Sequence, residues 1–326
     1  LLNHGKPTFF KNERNLYFHG YYFSTSKNNF SRLKRSVFSI WLSAARPQTL
    51  PAAAVPVLVG ASLAAHDSML RWDTSIAALV CALLIQIGTN FANDYYDFVK
   101  GSDREDRIGF ERATSAGLVQ PKSMLFATYF TMVLAFLLGL YLVWIGGWVI
   151  LLIGFLSLLF GVLYTGGPYP LGYNGLGDIF VFIFFGVIAV MGTYYVNALN
   201  WSAVSFWLSV PIGALCVNIL VVNNLRDIAQ DRISGKRTLG VLFGENALKW
   251  EYTLLVILAY AIPLWLMISG QFSAFILLPF LLIPFSAVLL RTIWKHQDKR
   301  MLNKTLEQTA AFMIVYGILF SAGILL

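Results

Sequence analysis

Nine apolar runs divide the chain, at 48–66, 74–97, 124–145, 147–164, 177–197, 203–226, 251–269, 272–291 and 308–326. Each is hydrophobic around most of its circumference and close to the roughly 20 residues that one helical bilayer crossing needs. Backbone polar groups in lipid must be satisfied within the segment, so this pattern predicts helices. The fold class is all-α integral membrane, with about nine transmembrane helices. Most connections on one side are very short, as at Ile145-Gly146-Gly147 between Trp144 and Trp148. Trp41, Trp72, Trp201, Trp250 and Trp294 also stand near run ends, as an aromatic belt does. Ala52, Pro56 and Gly60 recur every four positions in the first run, the spacing of close helix packing.

Composition agrees with the pattern. Hydrophobic residues make up 57% of the 326 and charged ones 12%, about half the charge of a soluble domain. With a cytoplasmic N-terminus, eight of the 24 Lys and Arg fall in the first 46 residues. Fifteen more fall in three loops on the same side, and only Arg71 is left for the other. Positive charge gathers on cytoplasmic loops, so this asymmetry sets the topology. Basic loops against anionic lipid account for the net charge of +8 without a nucleic-acid partner. Cys81 and Cys216 lie inside runs with no CxxC or Cys/His cluster, and the four histidines lack metal-ligand spacing. Residues 1–40 read as a basic cytosolic tail lacking the apolar core of a secretory signal, and 41–326 as the membrane domain.

Against this background the acidic residues stand out by location. Asp94, Asp97 and Asp103 close the second run, Asp227 and Asp231 the sixth, and the charge-derived topology puts both groups on one side. Asn223, Asp227 and Asp231 are spaced i, i+4, i+8 and so share one stripe of a helix. Asn93 and Asp97 repeat the i, i+4 step, and Gly101 is placed to end the helix and let a loop return Asp103. Two facing walls of Asn and Asp suit Mg2+, which is held by a few carboxylates together with substrate phosphate oxygens. Cations between the walls also relieve the mutual repulsion of the carboxylates. Lys100, Arg104, Lys236 and Arg237 stand near enough in sequence to neutralise remaining phosphate charge. Asp94, Asn90 and Asn224 read as structural, and Glu105, Asp106 and Glu111 as solvated loop charges. Neither "GYNGLGD" nor "SGKRT" has the spacing of a nucleotide-phosphate loop.

Five stretches resemble one family. They are "ARPQTLPAAAVPVLVG", "NDYYDFVKGSDREDRIG", "LYTGGPYPLGYNGLGD", "FFGVIAVMGTYY" and "NNLRDIAQDRISGKRTL", distributed from about Trp41 to the C-terminus. From these the chain resembles the UbiA superfamily of intramembrane prenyltransferases, and within it the 1,4-dihydroxy-2-naphthoate polyprenyltransferases of menaquinone synthesis. The first motif closing on Gly-x-Asp carries the finer resemblance. It implies nine helices around a central cavity in a bacterial cell membrane. It also implies Mg2+ at Asn93, Asp97 and Asp103 and at Asn223, Asp227 and Asp231, with Asp97 and Asp227 catalytic. The substrates implied are a polyprenyl diphosphate and dihydroxynaphthoate, with the long isoprenoid lying along apolar helix faces toward membrane lipid. The diphosphate leaves, the ring attacks at its carboxylated carbon, and CO2 is lost. Arg46 is either an interfacial anchor or a ligand for diphosphate or the aromatic carboxylate; Tyr164, ending the fourth run, is a further cavity residue. Some relatives carry a basic residue after the fourth run, and this chain has none there. The same motifs fit another aromatic acceptor, such as homogentisate or a chlorin. A cation-coupled transporter is disfavoured, since its ion sites would lie near the midplane.

Overall fold

The structure is a computed structural model that describes residues 36–103 and 108–326. Residues 1–35 of the expected tail and the loop positions Arg104, Glu105, Asp106 and Arg107 lie outside the described residues. The helical unit runs from Val37 to Leu326. Its helices are α1 Val37–Ala45, α2 Pro51–His66, α3 Trp72–Val99, α4 Pro121–Gly146, α5 Trp148–Leu163, α6 Gly177–Ala198, α7 Ala203–Ile233, α8 Leu239–Phe243, α9 Glu245–Ile268, α10 Ala274–Lys295 and α11 Met301–Leu325.

Among the described residues, seven helices are long and apolar enough to cross a bilayer. The bent pair α1 and α2 makes an eighth, and α5, at 16 residues, matches the remaining run. The protein is a multi-pass membrane bundle. The first run is not the single straight helix expected. The chain passes through a 3-10 turn at Pro47–Thr49, and the two helical pieces meet at 52°. Pro47 and Pro51 each lack an amide hydrogen, and Arg46 sits at φ 53°, so the α-helical ladder cannot run through. The sixth run is longer than its apolar stretch: α7 continues to Ile233, carrying Asp227 and Asp231 on helix.

Burial sorts the bundle. In α7, 78% of the most apolar stretch is buried inside protein, against 22% in α4, so α7 is the central stave and α4 a lipid-facing one. A π-helical segment, Phe182–Ile188, lets α6 press on α7. A Cβ on Gly186 would stand 2.6 Å from the Gly213 Cα, a backbone approach that only glycine permits. Trp72, Trp144 and Trp148 are exposed at one end of the bundle. Trp41 packs edge-on against Phe91, ring centres 5.5 Å apart.

Candidate active site

The two helices that bear the acids end in the same way. On α3, Gly101 takes φ 64° and the Ser102 amide returns to the Asp97 carbonyl at 2.9 Å. On α7, Gly235 takes φ 74° and the Lys236 amide returns to the Asp231 carbonyl at 2.9 Å. Both are Schellman closures, in which a left-handed glycine lets the chain fold back over the last turn. They place Asp97 and Asp231 at equivalent positions, third from the helix end. Asn93 then corresponds to Asp227 by helix position, one turn away from the pairing the motifs suggested.

Lys236 joins the two ends. Its Nζ lies 3.3 Å from Asp97 Oδ1 and 3.9 Å from Asp231 Oδ1, although 139 residues separate Lys236 from Asp97. Tyr173, from the loop between α5 and α6, donates its hydroxyl to Asp97 Oδ1 at 2.6 Å. Burial, then the Asp97 charge, push the Tyr173 phenol well above its usual range, so it stays protonated and is the donor. The Ser102 hydroxyl lies 2.6 Å from the Tyr173 oxygen, and Lys100 and Lys236 stand 4.7 and 4.6 Å from the Tyr173 ring centre. A loop without a basic residue thus places an aromatic ring within reach of two lysines.

Asp94 has the structural job expected of it. Its buried carboxylate accepts from the amides of Ala113 at 3.0 Å and Thr114 at 2.9 Å, fastening the returning loop to α3. The neighbouring residue, Arg112, is thereby laid across the first acidic motif. Its Nη2 is 3.1 Å from Asp97 Oδ2 and its Nε 3.6 Å from Asp103 Oδ2, while Nη1 is buried without a hydrogen-bond partner. Arg226 does the same for the second motif. It forks onto Asp227 through Nε and Nη2, both at 2.7 Å, and reaches Asn223 Oδ1 at 2.6 Å and Asn303 Oδ1 at 2.8 Å.

Arg112, Arg226 and Tyr173 join the site without a signal in the sequence. Both arginines read as loop charges because nothing in their spacing marks them. Arg226 is instead 2% exposed. Tyr173 lies within a quoted motif, but only the fold brings it to Asp97.

A cavity of about 500 Å3 opens between the two helix ends. Of the residues singled out in the sequence, Arg46, Asn93, Asp97, Tyr164, Asn223, Asp227, Asp231 and Lys236 line it, together with Arg112, Tyr173 and Arg226. Asn93 accepts from the Thr165 hydroxyl, and Arg46 Nη2 donates to the Asn90 carbonyl at 3.3 Å. Three expected residues stand back. Asp103 meets the site through Arg112. Lys100 donates to the Thr165 carbonyl at 2.5 Å. Arg237 is exposed and contributes its amide, which donates to the Tyr173 carbonyl at 2.7 Å. Arg104 lies outside the described residues. A second, apolar cavity of about 210 Å3 adjoins the first, with Thr89, Tyr164, Val181 and Phe185 lining both.

The model of the UbiA prenyltransferase family matches residues 53–316. The chain belongs to this family. A 1,4-dihydroxy-2-naphthoate octaprenyltransferase of Mycobacterium tuberculosis is 39% identical over 71% of this chain and 79% of its own length. One of Escherichia coli is 36% identical over 88% and 95%. Among solved structures, a UbiA homolog from Aeropyrum pernix K1 superposes with a TM-score of 0.66 at 14% identity, covering 86% of this chain and 98% of its own. A UbiA homolog from Archaeoglobus fulgidus bound to DMAPP and Mg2+ does so with 0.63 at 12% identity, covering 86% and 99%. These likenesses make the bundle a UbiA fold.

The donor chemistry suits a hard cation. Asp97, Asp227 and Asp231 bring carboxylate oxygens to the cavity lining, and Asn93 and Asn223 bring side-chain amides whose oxygens accept from Thr165 and Arg226. Among the described residues no three His, Cys, Asp or Glu side chains already converge as a metal cage. An Mg2+ that keeps waters and shares substrate phosphate oxygens needs only one or two of them.

Proposed function

We infer that this chain transfers a polyprenyl group from an allylic diphosphate to 1,4-dihydroxy-2-naphthoate, releasing diphosphate and CO2. The observation that carries the reading is the joined pair of cavities: a polar one between two acid-bearing helix ends, and an apolar one sharing Tyr164 and Phe185 with it. A prenyl diphosphate has the same two-part character. The close relatives' names support dihydroxynaphthoate as the acceptor.

Asn93, Asp97, Asn223, Asp227 and Asp231 are the residues that would hold Mg2+, with Asp97 and Asp227 central and Asp103 joined to them through Arg112. The ion's chemistry there is to offset charge on the departing diphosphate. Arg112 and Lys236, already at the mouth of the cavity, turn their donors to the diphosphate oxygens. The prenyl C1–O bond breaks with its electron pair going to diphosphate, in a site whose apolar walls exclude water. The ring carbon bearing the carboxylate bonds to C1. The carboxylate then leaves as CO2 and returns its bonding pair to the ring, so no proton is needed for balance. The tail lies among Val181, Phe184 and Phe185 in the apolar cavity.

The clamp faces the cytoplasm of a bacterial cell in this reading, because the Lys- and Arg-rich loops share its end of the bundle. An assay of membranes holding the protein tests the acceptor. Dihydroxynaphthoate, homogentisate and 4-hydroxybenzoate are offered together with a polyprenyl diphosphate. Prenylated naphthoquinol is expected as the main product, and a dominant product from another ring overturns the naphthoate assignment.

A further inference from the structure

Gln86 lies on α3, seven residues before Asn93, on the same face and about 10 Å further along the axis. It lines the polar cavity but not the apolar one, and it is 7% exposed. Its Nε2 donates to the Thr49 hydroxyl at 3.1 Å, while its Oε1 is buried with no partner. The orientation of this amide is dictated by its neighbours. Thr49 spends its single hydroxyl hydrogen on the Arg46 carbonyl at 3.0 Å, so its oxygen only accepts, from Asn90 Nδ2 at 2.9 Å and from Gln86. Asn90 is fixed in turn, its Nδ2 also donating to the Ala45 carbonyl at 2.9 Å. Turning Gln86 over would set oxygen against oxygen. The network therefore holds an unsatisfied acceptor beside the cavity, and a buried acceptor of this kind is stabilised by a ligand that brings a hydrogen.

Few groups in the proposed reaction bring one. Diphosphate is an acceptor, and the prenyl tail has no polar hydrogen. The aromatic ring carries two hydroxyls. The one at C1 stands beside the carboxylate and donates to it within the molecule, which leaves the hydroxyl at C4.

The geometry points to Gln86 as the residue that reads the acceptor, its Oε1 accepting a hydrogen bond from the C4 hydroxyl. This rests on the naphthoate reading above. With the tail directed to the side shared by Tyr164 and Phe185, the ring falls to the side walled by Arg46, Thr49 and Gln86. Acceptor choice is then made by a neutral amide at a distance from the metal ligands.

The test uses the full chain in membranes with dihydroxynaphthoate as substrate and 1-hydroxy-2-naphthoate, which lacks the C4 hydroxyl, as competitive inhibitor. Wild type is expected to bind the inhibitor about tenfold more weakly than the substrate, the worth of one hydrogen bond. Gln86→Leu and Gln86→Met are expected to raise KM for dihydroxynaphthoate about tenfold, leave KM for the polyprenyl diphosphate unchanged, and bind the two rings equally. Either variant serves if the other fails to insert. A variant that keeps the wild-type preference between the rings, or that weakens both rings and the diphosphate alike, overturns the assignment and leaves Gln86 a structural amide. Wild type that prenylates no dihydroxynaphthoate overturns the naphthoate reading first, and this assignment with it.

Discussion

Arg226 is gripped by Asp227, Asn223 and Asn303 at once, and it has almost no solvent to fall back on. Removing one partner of a buried ion pair leaves the other charge uncompensated. Arg226→Ala should therefore lower stability by about 3–5 kcal/mol, seen as a fall in the melting temperature of the purified protein. An unchanged melting temperature would mean that Asp227 does not depend on it. Tyr173→Phe removes one charge-assisted hydrogen bond from Asp97 and keeps the ring beside the two lysines. It is expected to raise the Mg2+ concentration for half-maximal rate about tenfold while insertion is unaffected. Neither residue was legible in the sequence. Arg112 reaches Asp97 only because Asp94 binds amides 19 and 20 residues on, and such a loop closure leaves no periodic trace.

At the scale of elements, the sequence carried what periodicity and chain-breaking chemistry can carry. Asn223, Asp227 and Asp231 share a stripe because they are four apart on one helix, and Gly101 ends α3 where a left-handed residue is needed. The bend between α1 and α2 was hidden because apolar content reads the same through a kink, although Pro47 and Pro51 stood in plain view. The register between the two acidic motifs was set by the matching closures at Gly101 and Gly235 rather than by spelling. Gly101→Ala and Gly235→Ala each force a Cβ into left-handed backbone at about 1–2 kcal/mol. Turnover should fall in both, with little change in insertion, because each closure aims an aspartate; wild-type rates would separate the closures from the site.

For the whole molecule, lipid made the spans legible and hid the cavity. A bilayer demands long apolar helices whatever they enclose, so the count of crossings follows from hydropathy. Which faces turn inward is decided by contacts such as Gly186 on Gly213. The apolar cavity has room to be reshaped: Gly192 lines it, and a Cβ there meets nothing within 4 Å. Gly192→Phe is expected to fill this space and shorten the longest polyprenyl diphosphate used, measured across donors of increasing length, while the shortest donors keep their rate. An unchanged length profile would send the tail elsewhere. The central claim is that the acidic ends of α3 and α7 act together, through Mg2+, on one diphosphate. It is tested most directly by prenylated naphthoquinol formation in membranes as Mg2+ is removed by chelation and restored, for wild type, Asp97→Ala and Asp227→Ala. Product is expected to disappear with the metal and return with it, and each variant to lose about 100-fold or more in rate while still inserting. Turnover that survives chelation, or wild-type rates in either variant, would contradict it.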